Sequence, residues 1–190
     1  AASPDAVGKG VLTVLNNEIQ SARDVTKTNS YRLETFRSNE LGFLGYADSD
    51  NEVTFYRTPT KCHTLNAEFM VAEYDVLPRV DIAYAYAGCD GWAINAAVAA
   101  GIKGVVAAGL GSGGSPKGYM EALKAAQKSG VKVVIATHTG NGRVMSTRRF
   151  QEDGYIVADN LSPKKARILL MLALFTTDVS SEIQRMMSYY

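Results

Sequence analysis

Short apolar runs separated by polar segments are the main pattern of this sequence. The first run, residues 10–15 (GVLTVL), is apolar and β-branched and predicts a buried strand. A strongly polar segment, residues 16–29, follows it directly, and residues 52–56 (EVTFY) alternate as a second strand does. Polar loops that directly follow buried strands often hold the chemistry of α/β proteins. The beginning of the chain therefore predicts part of an α/β domain with a functional loop.

From residue 80 onward, strand patterns alternate with helix patterns. The predicted strands are residues 80–86, 104–108, 131–136 and 155–158. Ser115-Pro116 and Ser162-Pro163 each predict a helix N-cap followed by proline at the first helical position. Near-continuous apolar strands fit a sheet that is covered on both faces. We therefore predict an α/β fold with a mostly parallel, flavodoxin-like sheet.

The chain divides unequally in this interpretation. Residues 1–56 are predicted to be the C-terminal part of an N-terminal α/β domain, residues 57–77 a linker, and residues 78–190 a small C-terminal α/β domain. One strand, a polar loop and a hairpin bury too little apolar surface to fold alone. We therefore expect the first part to need further protein in front of it.

Composition and charge exclude several classes of function. Apolar residues make up 46% of the chain and the formal net charge is +1, so no global field favours nucleic acid or an anionic membrane. No apolar run reaches the roughly 18 residues of a membrane span. Cys62 and Cys89 lack metal-ligand spacing, which predicts no metal site and leaves open whether they are paired or free.

The string SARDVTKTN, residues 21–29, carries the first candidate chemistry. Arg23, Asp24 and Lys27 lie there among hydroxyl and amide side chains. Such a lysine can stabilise an alkoxide or oxyanion as an ammonium, or act as a base when it is desolvated. From these residues alone, a solvated charged loop is the more common explanation.

Two further polar segments follow predicted strands. The string AAGLGSGGSP, residues 107–116, could let backbone N–H groups approach an anion at a helix N-terminus, but it lacks the dinucleotide spacing G-x-G-x-x-G. A tight strand-to-helix turn is the simpler explanation. His138, in residues 137–143, is a candidate general base or a structural hydrogen-bonding group.

Taken in order, these segments resemble the type II, bacterial-type L-asparaginases and glutaminase-asparaginases. The matching strings are VLNNEIQSARDVTKTNSYRLETFRS, LGYADSDNEVTFYRTP, LPRVDIAYAYAG, GIKGVVAAGLGSGG, THTGNGRV and ADNLSPKKARILLMLAL. They cover nearly the whole chain, and SARDVTKTN is the most specific of them. The resemblance implies a homotetramer that hydrolyses the side-chain amide of L-asparagine or L-glutamine, without metal or cofactor. It also implies a periplasmic or secreted protein.

The resemblance implies roles for particular residues. Lys27 matches the catalytic lysine of the family motif DVTKTN, whereas the threonine nucleophile and a second threonine next to an aspartate lie upstream in the family and have no counterpart in this sequence. From a neighbouring subunit, Ser112, Gly114, Ser115 and Glu152 would contact the substrate's α-amino region. Gly114 stands where asparagine is common, and Glu152 departs from the family spacing.

Three hypotheses for function follow. The first is an asparaginase-type amidohydrolase whose nucleophile is missing from this chain. The second is a non-catalytic fragment of such an enzyme, or a small-anion-binding interaction module. The third is a nucleotide-binding oxidoreductase module, which would need an acidic residue about twenty positions after the glycines. The sequence offers none there at a strand end.

Overall fold

The computed structural model describes residues 2–190 and forms two compact units, one up to Glu68 and one from Phe69 onward. The division falls inside the predicted linker, residues 57–77. This segment contains two 3-10 helices, Thr64–Asn66 in the first unit and Val71–Glu73 in the second. The predicted domain boundaries at residues 56 and 78 remain predictions.

The first unit consists of short antiparallel strands and two further 3-10 helices, Pro4–Ala6 and Asn39–Leu41. Its described strands are β1 (Leu12–Leu15), β2 (Glu18–Ser21), β3 (Thr26–Lys27), β4 (Phe36–Arg37), β5 (Gly45–Ala47) and β6 (Val53–Phe55). Strands β1, β2, β5 and β6 form one sheet in that order, and β3 pairs with β4 in a separate ribbon. All of these pairings are antiparallel.

The two strands predicted for the beginning of the chain are present as β1 and β6, but the predicted burial of the first strand and the single loop after it are wrong. Strand β1 lies at the edge of the antiparallel sheet, and its Val14 side chain is 54% exposed rather than buried. The polar segment after it is not one loop, because Asn16 and Asn17 form a two-residue turn with φ of 51° and 63°. Positive φ at both positions is typical of the type I′ hairpin turn, so the chain returns at once as β2.

The first unit has a very small hydrophobic core. Among the described residues up to Glu68, only Ile19 and Leu44 are buried hydrophobic residues. Buried polar side chains occupy part of the interior, where the Ser38 hydroxyl donates to Gln20 Oε1 at 2.6 Å. An open apolar cleft of about 510 Å³, lined mainly by Val7, Leu12, Val14, Ile19, Val53 and Phe55, lies beside the sheet.

The second unit is a parallel α/β layer structure. Its elements are β7 (Val80–Tyr84), α1 (Trp92–Ala99), β8 (Gly104–Gly109), α2 (Lys117–Lys128), β9 (Lys132–Thr137), α3 (Arg148–Glu152), β10 (Ile156–Val157), α4 (Pro163–Thr176) and α5 (Ser180–Tyr189). The predicted α/β fold with a parallel sheet is confirmed. The strands lie in their sequence order, whereas a flavodoxin-like sheet places its first strand in the interior.

The sheet of the second unit is covered on both faces, as its apolar strands predict. Successive residues of a strand point to opposite faces, so Val105 packs with helices α1 to α3 and Val106 with α4 and α5. Ile94 and Leu123 are buried on the first side, and Leu170 is buried on the second. The second unit therefore has a complete core that the first unit lacks.

The two predicted helix caps have different outcomes. Ser162 is the N-cap of α4 and Pro163 its first residue, as expected, although the Ser162 hydroxyl makes no capping hydrogen bond. Helix α2 instead begins at Lys117 with Pro116 as its N-cap, so Ser115 lies outside the helix. The helix starts one residue later than predicted because Pro116, with ψ of 156°, itself has the non-helical backbone of an N-cap residue.

Candidate functional site

The carboxyl ends of the parallel strands gather the polar loops of the second unit at one edge of its sheet. Strand β8 leads into residues 109–115, which we call the glycine loop, and β9 leads into residues 138–147, which we call the β9 loop. Open α/β sheets bind ligands at this edge. The fold therefore places both segments that the sequence singled out in the second unit on the same side.

The glycine loop is a tight turn closed by its own backbone. The N–H groups of Gly113 and Gly114 donate to the Leu110 carbonyl at 3.0 and 2.8 Å, and Leu110 N–H donates to the Gly114 carbonyl at 2.8 Å. A Cβ on Gly109 would lie 2.6 Å from the Gly113 backbone, so only glycine fits. These two amides are satisfied internally, and the simpler explanation for this segment, a strand-to-helix turn, holds for them.

The predicted substrate contacts in this loop differ in accessibility. Ser112 and Gly114 are exposed. Ser115 is half-buried, and its hydroxyl oxygen is buried without a hydrogen-bond partner among the described residues. Of the three, Ser112 is therefore the one exposed serine.

Glu152 lies at the end of α3, after the β9 loop. Its carboxylate accepts from Arg148 Nε at 2.8 Å, one helical turn earlier, and its side chain is 63% exposed. Phe150, on the same helix, packs close to Gly113 of the glycine loop. The structure thus joins α3 to the glycine loop through an apolar residue, and leaves the Glu152 carboxylate in an exposed ion pair.

His138 lies at the start of the β9 loop. Its ring is 6.0 Å from the Tyr84 ring, and its backbone N–H donates to the Gly109 carbonyl at 3.2 Å. Thr139 holds the turn that follows, because its hydroxyl donates to the Asn141 carbonyl at 3.0 Å. The His138 residue is exposed, and its role as a general base or as a structural group remains a prediction.

Exposed aromatic side chains at this edge are a feature that sequence reasoning missed. Tyr84 ends β7, Tyr86 follows it, and Trp92 begins α1; all three are more than half exposed. Tyr84 and Tyr86 belong to the apolar run of β7 in the sequence, and such a run does not show which of its rings are exposed.

Lys27 lies in the first unit, whereas the four predicted substrate contacts belong to the second. It is exposed in the short ribbon, opposite Phe36 of β4. The expectation that Lys27 lies in a loop is corrected, because it belongs to strand β3, which a turn separates from the buried strand β2. Pairing with β4 fixes its backbone.

Neighbouring contacts organise the segment around Lys27. Arg23 Nη1 and Asp24 Oδ1 form an ion pair at 2.9 Å, and both side chains are less than one-fifth exposed. Thr28 donates twice to the Thr35 carbonyl, from its N–H at 2.8 Å and from its hydroxyl at 2.9 Å. The string SARDVTKTN therefore forms a hydrogen-bonded structure that presents an ammonium to solvent, rather than a loose charged loop.

Other candidate chemistry is limited. Residues 2–190 contain no group of three or more His, Cys, Asp or Glu side chains that could hold a metal ion. Both cysteines are free, Cys62 half-buried and Cys89 buried. In the same range, every helix is too short or too polar to cross a lipid bilayer.

Comparison with known proteins assigns the chain to a family. Residues 79–187 match the family described as Glutaminase/Asparaginase C-terminal domain, and residues 1–61 match the family described as Asparaginase, N-terminal. This chain belongs to the asparaginase/glutaminase family. The two matches follow one another along the chain in the same order as the two structural units.

Individual asparaginases are similar over the full chain. L-asparaginase 2 of Bacillus subtilis is 43% identical over 190 residues, which cover 100% of this chain and 50% of the relative. The probable periplasmic L-asparaginase of Haemophilus influenzae is 39% identical over 97% of this chain and 53% of its own length. Glutaminase-asparaginase of Pseudomonas fluorescens is 39% identical over 100% of this chain and 53% of its own length. The chain spans about half the length of the curated relatives it matches.

Proposed function

We propose that this chain is the C-terminal portion of an L-asparaginase-type amidohydrolase. The reaction is hydrolysis of the side-chain amide of L-asparagine, or of L-glutamine, to the acid and ammonia. The observation that carries the proposal is the ordered match to both asparaginase domain families, together with relatives named asparaginase and glutaminase-asparaginase. The periplasmic name of one relative supports a periplasmic location.

Lys27 is the catalytic group that this chain contributes in our proposal. An exposed ammonium on a hydrogen-bonded ribbon can lie beside a reacting hydroxyl without large rearrangement. Threonine is a weak nucleophile at its free pKa and needs an activating neighbour. Lys27 would assist transfer of the hydroxyl proton and stabilise the developing negative charge.

The threonine nucleophile comes from polypeptide outside this sequence in the proposed enzyme. The small core of the first unit supports this, since two buried hydrophobic residues and an open apolar cleft leave its sheet incompletely covered. Val7, Val11 and Val14 expose 82%, 69% and 54% of their surface. We propose that the N-terminal half of the asparaginase polypeptide packs on this apolar surface and brings the nucleophile to Lys27.

The second unit supplies substrate contacts to the site of a neighbouring subunit in this proposal. Ser112, Gly114, Ser115 and Glu152 are the candidate contacts with the substrate's α-amino region, within a homotetramer. Ser112 is the best placed of them, because it is an exposed serine on the glycine loop. Small-anion binding by backbone amides, the second hypothesis, is less well supported because the Gly113 and Gly114 amides are already bonded.

Reconstitution with a relative tests the proposal. The chain is co-expressed with the half of B. subtilis L-asparaginase 2 that it does not match, and the purified complex is assayed for ammonia release from L-asparagine and L-glutamine. We expect a stable complex with activity well above that of either part alone. A stable complex that releases no ammonia from either amide would favour the non-catalytic hypothesis instead.

A further inference from the structure

Asp159, two residues after β10, binds the β9 loop. Its carbonyl accepts from Val144 N–H at 2.9 Å, and its carboxylate Oδ1 accepts from Arg143 Nε at 2.9 Å. Asp159 has a φ of 53°, a left-handed conformation that aspartate and asparagine tolerate better than most residues. The side chain is only 20% exposed, although Arg143 is 67% exposed.

Val144, held by this contact, forms part of the support under the glycine loop. It is 1% exposed and belongs to the core cluster that contains Ile135 and Phe150. A Cβ built on Gly113 would lie 2.6 Å from Ile135 Cγ2 and 3.4 Å from Val144 Cγ1. The Gly113 backbone therefore rests directly on these two side chains.

The rest of the β9 loop has little packing to hold it in place. Gly140 and Gly142 both have positive φ, and a Cβ on either would meet no atom within 4 Å. A loop with so little packing around its glycines is held mainly by the hydrogen bonds and ion pairs at a few residues, which are its fixed points. In this loop they include the Thr139 turn, the contacts of Arg143 and Val144 with Asp159, and the hydrogen bonds of Ser146 with Gln151.

We propose that Asp159 is a positioning residue for the glycine loop. By holding Arg143 and Val144, it keeps Val144 packed under Gly113, and this fixes Ser112 in the conformation that contacts substrate. The inference rests on the proposed function for its catalytic consequence. Its structural part, the support of the glycine loop, does not depend on that function.

Substitutions of Asp159 and of its partner Arg143 test whether the contact between these side chains holds the loop. Asp159→Ala removes the carboxylate that accepts from Arg143, and alanine tolerates left-handed backbone less well than aspartate does. Asp159→Asn keeps an acceptor oxygen for Arg143 and tolerates the same φ, so it should rescue the loop. Arg143→Ala removes only the ion pair and serves as a milder variant should Asp159→Ala fail to fold.

Hydrogen exchange on the complete chain measures the structural part. In Asp159→Ala, we expect the Gly113 and Gly114 amides to exchange faster by roughly tenfold, which corresponds to about 1.4 kcal/mol. Arg185→Ala is the matched control, because it breaks another Arg Nε–carboxylate pair at 2.9 Å, with Glu182 on α5. Unchanged exchange at Gly113 and Gly114 in both Asp159→Ala and Arg143→Ala would overturn the proposal.

Kinetics of the reconstituted enzyme measure the catalytic part. We expect Asp159→Ala to raise KM by roughly tenfold with little change in kcat, since a loop that only binds substrate contributes equally to ground and transition states. Asp159→Asn should restore KM. Faster exchange with an unchanged KM would overturn the positioning role. If the wild-type complex is inactive, the proposed function fails, and the exchange experiment still decides whether Asp159 supports the loop.

Discussion

Tyr119 shows how a single buried hydroxyl ties a helix to the sheet. Tyr119 belongs to α2 and is only 2% exposed. Its hydroxyl donates to the Ala83 carbonyl of β7 at 2.7 Å. Burial, with a smaller contribution from the nearby Cys89, raises the pKa of Tyr119 well above its ordinary value. The neutral hydroxyl is therefore the form that the folded protein stabilises.

The stability of the protein should fall at alkaline pH because of this group. In the unfolded chain Tyr119 ionises near pH 10, whereas in the folded chain its pKa is higher. Its contribution to the free energy of unfolding is therefore fully present below pH 10. Above pH 10 this contribution is lost by about 1.4 kcal/mol per pH unit. Tyr119→Phe should cost about 1 kcal/mol at pH 7 and show a shallower loss above pH 10. Urea unfolding from pH 7 to 11 measures both.

Burial also raises the pKa of Tyr155, so a smaller alkaline loss should remain in Tyr119→Phe. The comparison of slopes therefore isolates Tyr119. Identical slopes for the variant and the wild type above pH 10 would contradict this role of its hydroxyl.

At the scale of residues, the sequence shows only chemistry that is local in the chain, and the catalytic role of Lys27 remains a prediction. The string SARDVTKTN identified Lys27 as a candidate without any structural information, because a lysine among hydroxyls is visible in the sequence itself. Sequence reasoning failed for Ser115, whose capping role depends on where the chain enters α2. It could not find Asp159, because its partners Arg143 and Val144 lie fifteen or more positions away.

Among the elements, β10 is protected at its open edge by a side chain of α5. Val157 N–H donates to Gln184 Oε1 at 2.8 Å, and Gln184 Nε2 donates to the Val157 carbonyl at 3.1 Å. The side-chain amide of Gln184 thus hydrogen-bonds to both backbone groups of Val157, as the backbone of a neighbouring strand would. Exposed strand edges promote association between molecules, and this contact covers part of one.

Removing this amide should destabilise the protein. Gln184→Ala leaves a buried N–H and a buried carbonyl of Val157 without partners, at a cost of about 1–3 kcal/mol. Gln127→Ala is the matched control, because Gln127 makes one exposed bond, from Nε2 to the Gly154 carbonyl at 2.9 Å, and should cost less. Urea unfolding compares the two variants, and equal costs would contradict the special role of Gln184.

The helices and strands were easier to predict in the second unit than in the first. In the second unit, helix signals follow most of the apolar strands, although none predicted the short α3 after β9, and parallel pairing of such strands follows from connection rules. In the first unit, the antiparallel pairing arises from a turn at Asn16 and Asn17, and neither residue is the glycine that usually marks this turn. The alternation of β2 was therefore hidden within a polar segment.

For the whole molecule, the two units should differ in their capacity to fold alone. The second unit buries both faces of its sheet, whereas the first buries only Ile19 and Leu44 among its described hydrophobic residues. Residues 69–190, expressed alone, should unfold cooperatively on heating, and residues 1–56 or 1–68 should not. Circular dichroism with thermal denaturation measures this. A cooperative transition of the short fragment would contradict our view of its core.

In the proposed function, Lys27 acts in amide hydrolysis together with a hydroxyl from outside this sequence. The most direct measurement is the turnover of L-asparagine by the reconstituted complex in which Lys27 is replaced by methionine, which keeps the side-chain length and removes the charge. Lys128→Met, in α2 of the second unit, is the control for loss of an exposed lysine. We predict that Lys27→Met lowers kcat by about 100-fold or more while Lys128→Met leaves it unchanged. Unchanged turnover by a correctly folded Lys27→Met complex would contradict the account.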